Sequence, residues 1–504
     1  MKFGLILKKY SINIFFLLFS FLYILFIENY RDFLFQNETK QFYTMLFKII
    51  SDILIIGTGQ LLCSVISGIK KKNEFFIRLV SAFFILFLIS FILYLLTDFA
   101  SFNWKMWDAF SVYESALKHD YYIYLHIFTS WYYIIALNIF PFQGGVILFQ
   151  IIVSSLIFSY IWAGLCRHIN NKYKWVLLLS LLLFPVLRMN LQPIRSCIYY
   201  VFPLLLFALF YFKYKDNKPL NYIEIFFISL LSAVVCAWRS ENIILWLIIP
   251  LFLIFLGKEK LSIVKIILFL LIFYSISIFI NNSMINAYYS YKILPFKRPL
   301  AAILRTDFKT DNKEKDLYII SKCCSIEKLK NLPLNETILA EINYTPSNYD
   351  IDNYVKTAIK LIILNPITYI KERADLTKNF KVFILLSDGI NDYPEKSLIR
   401  RIINTLEYNQ AQDKFSFKFW YSPLIPCIFL FIAIIYSFIK RNKMLCLITI
   451  TSFLLSVIPF LLCAEPFFHY FIQSYIFGWY IFSYFIMATL NKISCYVSYK
   501  KAEK

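Results

Sequence analysis

Twelve stretches of the chain are long and apolar enough to cross a lipid bilayer, and this pattern limits the fold more than any other feature. A helix needs about 20 mostly apolar residues to span a hydrocarbon core roughly 30 Å thick. The chain is 60% hydrophobic, above the roughly 45–50% typical of soluble domains. We therefore predict an all-α polytopic membrane protein. The twelve stretches are 11–28, 47–69, 77–97, 144–166, 175–191, 196–212, 221–238, 242–257, 262–281, 420–439, 444–463 and 470–490.

The basic residues predict how these helices are oriented. The net charge of +21 would point to nucleic acid in a soluble protein, but here Lys and Arg fall in short runs between apolar stretches, so no nucleic-acid partner is expected.

A thirteenth apolar stretch, 121–140, decides the topology. If it does not cross, all later basic runs share one side with the N-terminus, and if it crosses they all flip. The positive-inside rule favours twelve spans, with 121–140 in or dipping into the outer interface and both termini cytoplasmic. The runs that share the side of the N-terminus are Lys70–Lys72, Arg167/Lys172/Lys174, Lys213/Lys215/Lys218, Lys258/Lys260, Lys440/Arg441/Lys443 and Lys500/Lys501/Lys504.

This topology divides the chain into three parts. Residues 1–281 form an N-terminal transmembrane domain with a long outer loop at 98–143. Residues 282–419 form an extracytoplasmic insert, which we predict to be mostly helical, and 420–504 form C-terminal transmembrane helices. The interior of the predicted spans holds few charges, whereas the outer loops hold many chemically active groups. We therefore expect any chemistry on the extracytoplasmic side.

The outer loop 98–143 contains three candidate residues. Trp107 suits an interfacial aromatic belt and can also stack on a sugar ring. Asp108 precedes an apparent helix, Ala109–Lys118, so its carboxylate is either a helix N-cap or a general base for an acceptor hydroxyl. His126 is one of four histidines and is either an interfacial residue or a hydrogen-bond donor to a phosphate or acceptor oxygen.

Arginines at outer span ends are candidates for binding a phosphate. Arg188, Arg195 and Arg239 each offer a planar fork of donors suited to phosphate, although snorkelling of the side chain explains the same positions. Arg239 lies in the turn Trp-Arg-Ser-Glu-Asn beside Glu241. An Arg–Glu pair is possible there, but residues two apart do not face each other on a helix.

The last outer turn adds an acidic and aromatic cluster. Glu465, His469 and Tyr470 lie within seven positions and are candidates to border the same cavity as Asp108. Three or four ligands at set spacing would be needed for zinc, and the sequence does not supply them. We therefore assign these residues to substrate binding and predict no zinc site.

Together these motifs resemble the GT-C superfamily of membrane glycosyltransferases. The group includes protein mannosyltransferases and lipid A aminoarabinose transferases, and the likeness is to a poorly characterised bacterial branch. The matching elements are Trp107-Asp108-Ala-Phe-Ser-Val-Tyr, the following His126, Gln150 in the next span, Arg239-Ser-Glu-Asn after a later span, the long outer insert and the last turn.

The resemblance implies a polyprenyl-phosphate sugar donor and inverting transfer to an envelope glycan, lipid or protein on the outer face. It implies that Asp108 is the catalytic base and that Arg239 lies near the donor phosphate. Some members use a divalent metal, for which Asp98, Asp108 and Glu114 are the available carboxylates. The sequence itself requires no cofactor.

Two other functions fit the same topology. An O-antigen-type polysaccharide polymerase or ligase would depend on arginines of the insert such as Arg298, Arg305 and Arg373. A lipid or sugar flippase would require charged groups within the spans, where few are present.

Overall fold

A computed structural model describes residues 2–35, 41–96, 107–120, 126–169, 173–217, 219–239, 242, 244–256, 263–282, 288–331, 346–378, 422–462 and 471–502. Within these ranges the regular structure is helical and contains no strand. Six helices are long and apolar enough to cross a membrane, and five further apolar helices are shorter. For the described residues, the prediction of an all-α membrane protein is confirmed, whereas the count of twelve spans remains a prediction.

The helices fall into three groups along the chain. The first group comprises α1 (Lys2–Leu34), α2 (Gln41–Lys70), α3 (Glu74–Leu96), α4 (Trp107–Leu117), α5 (Ile127–Ile139), α6 (Gly145–His168), α7 (Val176–Leu179), α8 (Phe184–Met189), α9 (Arg195–Tyr199), α10 (Val201–Asp216), α11 (Tyr222–Ala237), α12 (Leu245–Leu256) and α13 (Ile263–Asn282). The insert contains α14 (Tyr288–Leu304), α15 (Lys313–Ser321), α16 (Ile326–Lys330), α17 (Asn348–Leu364) and α18 (Pro366–Lys378). The C-terminal group comprises α19 (Leu424–Ile439), α20 (Lys443–Leu462) and α21 (Ile472–Ala502).

Burial separates central helices from peripheral ones. The apolar windows of α1, α2 and α3 are only 11–22% buried, whereas those of α6 and of Cys197–Asp216, which covers most of α9 and all of α10, are 61% and 67% buried. Exposed apolar faces such as those of α1–α3 need an apolar solvent, which the bilayer provides. The helices α6 and α10 are therefore central to the bundle, and α1–α3 present most of their surface to lipid.

Contacts between α3 and α6 show how the loop 98–143 is placed. Arg78 near the start of α3 donates to the carbonyl of Cys166 near the end of α6, at 3.4 Å. At the opposite end of the pair, the Tyr94 hydroxyl donates to the carbonyl of Gly144, at 3.1 Å. The two helices are antiparallel, so the end of α3 and the start of α6 lie at the same end of the bundle. This geometry agrees with the prediction that 121–140 does not cross.

The helix α5 lies across the end of the bundle at which α6 begins, where neighbouring helices cover it, and this placement agrees with the predicted position of 121–140. Ten of its thirteen residues are buried, and it packs against α2, α4 and α6. Ile139 clusters with Ile27 of α1 and Ile55 of α2. Thirteen residues extend about 20 Å, too short for the hydrocarbon core. Thr129 near the start of α5 contacts Trp238 after α11, and the turn after α5 leads directly into Gly145, so both ends of α5 lie at one end of the bundle.

Basic residues of the described ranges meet at one end of the bundle, which we call the basic end. His168 at the end of α6 lies 3.3 Å from Asp216 at the end of α10. Lys213 of α10 pairs with Glu224 in the first turn of α11. These contacts join the ends that also carry Arg78 and Arg167. The opposite end, marked by Gly144 and the C-terminus of α11, is called the far end.

The predicted fifth span, 175–191, is not a continuous helix. It forms the two short helices α7 and α8, with Pro185 in the first turn of α8 and Pro193 beyond its end. Proline removes a backbone donor and stops a helix from continuing. Hydropathy correctly predicted an apolar segment at 175–191, but it does not indicate whether the backbone of that segment forms one continuous helix.

Neighbouring side chains satisfy backbone groups that the broken segment frees. The Gln150 amide donates to the carbonyl of Met189 at 3.1 Å, and the Tyr133 hydroxyl donates to the carbonyl of Pro193. Irregular backbone at membrane depth is tolerated when buried polar groups pair with it in this way. The helical segment from Arg195 to Asp216 is about 30 Å long. Since Asp216 lies at the basic end, Arg195 lies at the far end.

The described part of the insert is helical and has its own apolar core. Within the insert, the sequence predicts helices at 355–363 and 369–383. The first lies within α17, and the second lies within α18 up to Lys378, with 379–383 outside the described residues. The Tyr369 hydroxyl donates to the carbonyl of Leu461, at 2.7 Å, near the end of α20. The insert therefore contacts the far end of the bundle. Its core includes Ile293, Leu300, Ile303, Ile320, Cys323, Cys324, Ile351, Tyr354, Ala358 and Leu361.

Candidate functional site

His126 is the N-cap of α5 and lies at the far end. Its backbone is extended, with φ −63° and ψ 139°, and its Nδ1 accepts a hydrogen bond from the Phe128 amide at 3.3 Å. The side chain is only 8% exposed. The bundle encloses the ring, so His126 is not an amphipathic residue on the surface of an interfacial segment.

The protonation state of His126 follows from its burial. Burial lowers its pKa to about 3, and the positive charge of Arg195 acts in the same direction. The imidazole is neutral at physiological pH, and since Nδ1 accepts, the proton is assigned to Nε2. Nε2 is buried and has no hydrogen-bond partner among the described residues. A buried donor without a hydrogen-bond partner lowers the stability of the folded state. This nitrogen is therefore a candidate to donate a hydrogen bond to a bound molecule.

Arg239 lies just beyond the end of α11 and is 6% exposed. Its guanidinium carbon lies 5.9 Å from the centre of the Tyr199 ring. The Tyr199 hydroxyl in turn donates to the carbonyl of Val235 at 3.0 Å and accepts from the Asn242 amide. Snorkelling into water does not describe this side chain, since the guanidinium is held inside the bundle against a fixed aromatic ring.

Trp238 connects the start of α5, which follows His126, to the end of α11, which precedes Arg239. This role was not predicted from the sequence. Its indole Nε1 donates to the Thr129 hydroxyl at 2.9 Å, a contact between residues 109 positions apart. Thr129 is one turn after His126, and Arg239 directly follows Trp238. This hydrogen bond therefore fixes the end of α11, and Arg239 with it, relative to the start of α5. The indole packs among the rings of Phe128, Tyr132, Tyr199 and Phe202.

The structure brings three predicted residues to one region of the far end. Arg195 begins α9 and its charge acts on His126, while Arg239 lies over Tyr199 of the same short helix. The region combines two guanidinium groups with a neutral imidazole donor. Such a set suits a phosphate or another oxyanion, which accepts several hydrogen bonds and carries negative charge.

Asp108 and Trp107 lie in the first turn of α4, since that helix begins at Trp107 and not after Asp108. Their side chains lie outside the described part of the chain. The helix packs against α5, and its residues Ala109 and Val112 are buried in the core that contains Phe128. The backbone of Asp108 therefore belongs to an element attached to the one that begins at His126. A carboxylate in a first turn is also stabilised by the positive end of the helix dipole.

The remaining predicted residues stay predictions. Glu241, Glu465, His469, Tyr470 and Asp98 lie outside the described residues. Within the described part, no group of three His, Cys, Asp or Glu side chains is arranged to hold a metal ion. The carboxylate set of the possible metal site includes undescribed side chains, so the structure neither supports nor opposes it.

The insert holds a second cluster of buried charges. Arg373 is fully buried and its Nε lies 2.6 Å from Oε2 of Glu372, while Arg298 is also buried. Burial raises the pKa of Glu372, and the charges of Arg373 and Arg298 oppose that rise. Arg305 differs, because it is exposed and donates to the carbonyl of Lys330 at 2.7 Å. Two of the three arginines considered for a polymerase are therefore enclosed in this domain.

Neutral His126 predicts a contribution to acid sensitivity. Its pKa of about 3 in the folded state lies below the usual value of 6.5, so between these values the unfolded chain binds the extra proton. Stability from this group is complete above pH 6.5 and falls as the pH falls towards 3. His126→Asn keeps an N-cap acceptor but cannot titrate. We expect it to recover about 2 kcal/mol of the unfolding free energy lost between pH 7 and pH 5.

Unfolding in detergent at the two pH values measures this effect. Equal acid sensitivity in the parent chain and in His126→Asn would show that the histidine titrates normally and is not enclosed as described.

No protein-family model matches the chain, and comparison with curated proteins and with solved structures finds no match. Function must therefore be inferred from the chain's own residues and their arrangement.

Proposed function

We propose that the protein is a membrane glycosyltransferase of the GT-C type. It would move a sugar from a polyprenyl-phosphate donor to an envelope glycan, lipid or protein on the outer face of the bacterial cytoplasmic membrane. The observation that carries this proposal is the buried Nε2 of His126, which has no hydrogen-bond partner in the described structure. The charge of Arg195 acts on this histidine, and Arg239 lies over Tyr199 of the short helix that Arg195 begins. The positive-inside rule assigns the basic end, and both chain termini, to the cytoplasm. The candidate site then faces outwards.

The chemistry of a polyprenyl-phosphate donor fits this region. A polyprenyl tail dissolves only in the bilayer, so its phosphate must be bound near the end of the helices. Arg195 and Arg239 would bind that phosphate, and the His126 imidazole would donate a hydrogen bond to a phosphate or acceptor oxygen. Because both Arg239 and His126 are largely enclosed, these contacts would form in a medium less polar than water, where they are stronger.

The transfer step assigns roles to the residues of α4. Asp108 would take the proton from the acceptor hydroxyl while the acceptor oxygen attacks the anomeric carbon and the lipid phosphate leaves, which inverts that carbon. Its negative charge would also stabilise the oxocarbenium-like transition state. Trp107 would stack on the sugar. Glu241, Glu465, His469 and Tyr470 would border the same cavity.

Arg239→Gln is expected to weaken donor binding by roughly tenfold to a hundredfold, the range for loss of a charged hydrogen bond. The assay is equilibrium binding of a labelled polyprenyl-phosphate sugar to the purified protein in nanodiscs. Arg167→Gln is the matched control, because Arg167 lies at the basic end over the Phe75 ring. Equal affinity in both variants would remove Arg239 from the donor site.

A polysaccharide polymerase or ligase is the second candidate, and the burial of Arg298 and Arg373 favours it. The two functions differ in what they require. A polymerase should lose activity with Arg298→Gln and tolerate Asp108→Asn, whereas the proposed transferase should show the opposite order.

The described span charges do not favour a flippase. Arg31 pairs with Asp52 at 2.8 Å, and Glu224 pairs with Lys213. Paired charges near the helix ends stabilise the bundle, whereas a flippase would need polar groups available along a path through the spans. Transport without glycosyl transfer in proteoliposomes would establish that function.

A further inference from the structure

A cleft of about 410 Å³ opens between the N-terminal and C-terminal helices, far from the candidate site. Its walls come from α6, α10, α19, α20 and α21, with a contribution from α7. We call it the basal cleft, because its polar residues belong to the basic end. Its apolar lining includes Phe158, Ile161, Leu181, Leu204, Phe207, Ala208, Ala433, Ile448, Ile476 and Phe477.

The depth of the basal cleft matches one leaflet of a bilayer. On α6 its lining runs from Phe158 to His168, and on α10 from Leu204 to Lys215. Eleven or twelve residues of helix extend about 16–18 Å. The hydrocarbon core is roughly 30 Å thick, so one leaflet contributes about half of it. An apolar cleft that ends near the middle of the bundle suits an acyl chain from the leaflet at the basic end.

The rim of the basal cleft is cationic. Lys215 and Lys440 both line it, and neither forms an ion pair with a carboxylate in the described ranges. The Lys215 ammonium lies 5.7 Å from the centre of the Tyr211 ring, which orients it without neutralising its charge. His168 at the same rim is already paired with Asp216. Two uncompensated ammonium groups above an apolar cleft are complementary to a lipid phosphate.

Tyr480 adds a polar group inside the cleft. Its hydroxyl is buried, and within the described structure it has no hydrogen-bond partner. The residue lies one turn deeper than Tyr484, which also lines the cleft. A hydroxyl at this depth is placed to donate to an oxygen just below a lipid headgroup.

We propose that the basal cleft binds one anionic phospholipid from the leaflet at the basic end. One acyl chain fills the apolar cleft, the phosphate contacts Lys215 and Lys440, and the Tyr480 hydroxyl donates to an ester carbonyl. The lipid joins α19–α21 to α6 and α10, so it stabilises the contact between the two transmembrane groups. This site is independent of the proposed transferase function, because it uses none of the same residues and lies at the other end.

Native mass spectrometry of the full chain, after release from vesicles of equal phosphatidylglycerol and phosphatidylcholine, tests the proposal. We expect one retained phosphatidylglycerol per chain. Lys215→Gln/Lys440→Gln should lower the preference for the anionic lipid by about tenfold or more, because both ammonium groups that attract the phosphate are removed. Ala208→Phe, which fills the cleft, should lower retention of both lipids. The control Lys70→Gln/Lys72→Gln removes the same charge from exposed positions that do not line the cleft.

Three outcomes would overturn the proposal. The first is an equal loss of lipid preference in the control pair, which would indicate a general charge effect. The second is unchanged retention in Ala208→Phe when size-exclusion chromatography shows a folded protein. The third is displacement of the lipid by inorganic phosphate at millimolar concentration, which would identify a phosphate site without a chain-binding cleft.

Discussion

Asp108→Asn is expected to lower glycosyl transfer by about 10²- to 10⁴-fold, the usual contribution of a general base. The amide keeps the size of the carboxylate but cannot accept a proton from the acceptor hydroxyl or balance positive charge at the anomeric carbon. Since Asp108 lies in the first turn of α4, the substitution preserves the helix and removes only the charge. The assay follows a labelled polyprenyl-phosphate sugar in native membranes that contain the acceptor, at matched expression.

Glu114→Gln is the control for this prediction. Glu114 lies on the same helix, is exposed, and undergoes the same acid-to-amide change. Full activity in Glu114→Gln with loss in Asp108→Asn supports the base assignment. Loss in both variants that added Mn²⁺ restores would indicate a metal held by the two carboxylates, and unchanged transfer in Asp108→Asn would exclude it as the base.

Arg31→Met is expected to reduce the free energy of unfolding by about 3 kcal/mol, the lower part of the range for breaking a buried ion pair. Arg31 is fully buried, pairs with Asp52 at 2.8 Å and Glu28 at 3.1 Å, and donates to the carbonyl of Asn138 at 2.6 Å. It therefore ties α1 to α2 and to the end of α5. Methionine keeps much of the apolar stem but leaves the Asp52 carboxylate without its cation.

Equilibrium unfolding in mixed micelles measures this effect. Arg78→Met is the control, because Arg78 pairs with the largely exposed Glu74, and such pairs contribute about 0–1 kcal/mol. The double variant Arg31→Met/Asp52→Asn should recover part of the loss, since it removes the uncompensated charge. A loss in Arg31→Met no greater than that in Arg78→Met would contradict the proposed network.

The sequence could predict which helix ends lie together, because this depends on the charge summed over the basic runs between the helices. All six basic runs lie on one side of the membrane only if 121–140 does not cross it. The antiparallel contacts of α3 with α6 agree with that topology. The broken fifth span was not predicted. Its two prolines were visible in the sequence, but the buried amide of Gln150 and the hydroxyl of Tyr133 that stabilise the break are distant in the chain.

For the candidate site, the sequence predicted which residue types take part but not how they are arranged in space. The scarcity of histidine and the outer position of the arginines pointed to His126 and Arg239. The elements that carry them are joined by the contact of Trp238 with Thr129, 109 positions away, and no local sequence pattern indicates such a contact. The burial that makes His126 neutral likewise comes from packing. Trp238 itself had one available signal, its position directly before Arg239 in a tight outer turn.

The most direct test of the central claim is photo-crosslinking with a polyprenyl-phosphate sugar that carries a diazirine next to the phosphate. The reaction uses the full chain in proteoliposomes, with adducts mapped by mass spectrometry, and needs no knowledge of the acceptor. We expect adducts at the far end, at the start of α5, at α9 and in the turn after α11, and we expect excess unlabelled donor to suppress them. Specific adducts confined to the basal cleft or to the exposed faces of α1–α3 would contradict a donor site at His126, Arg195 and Arg239.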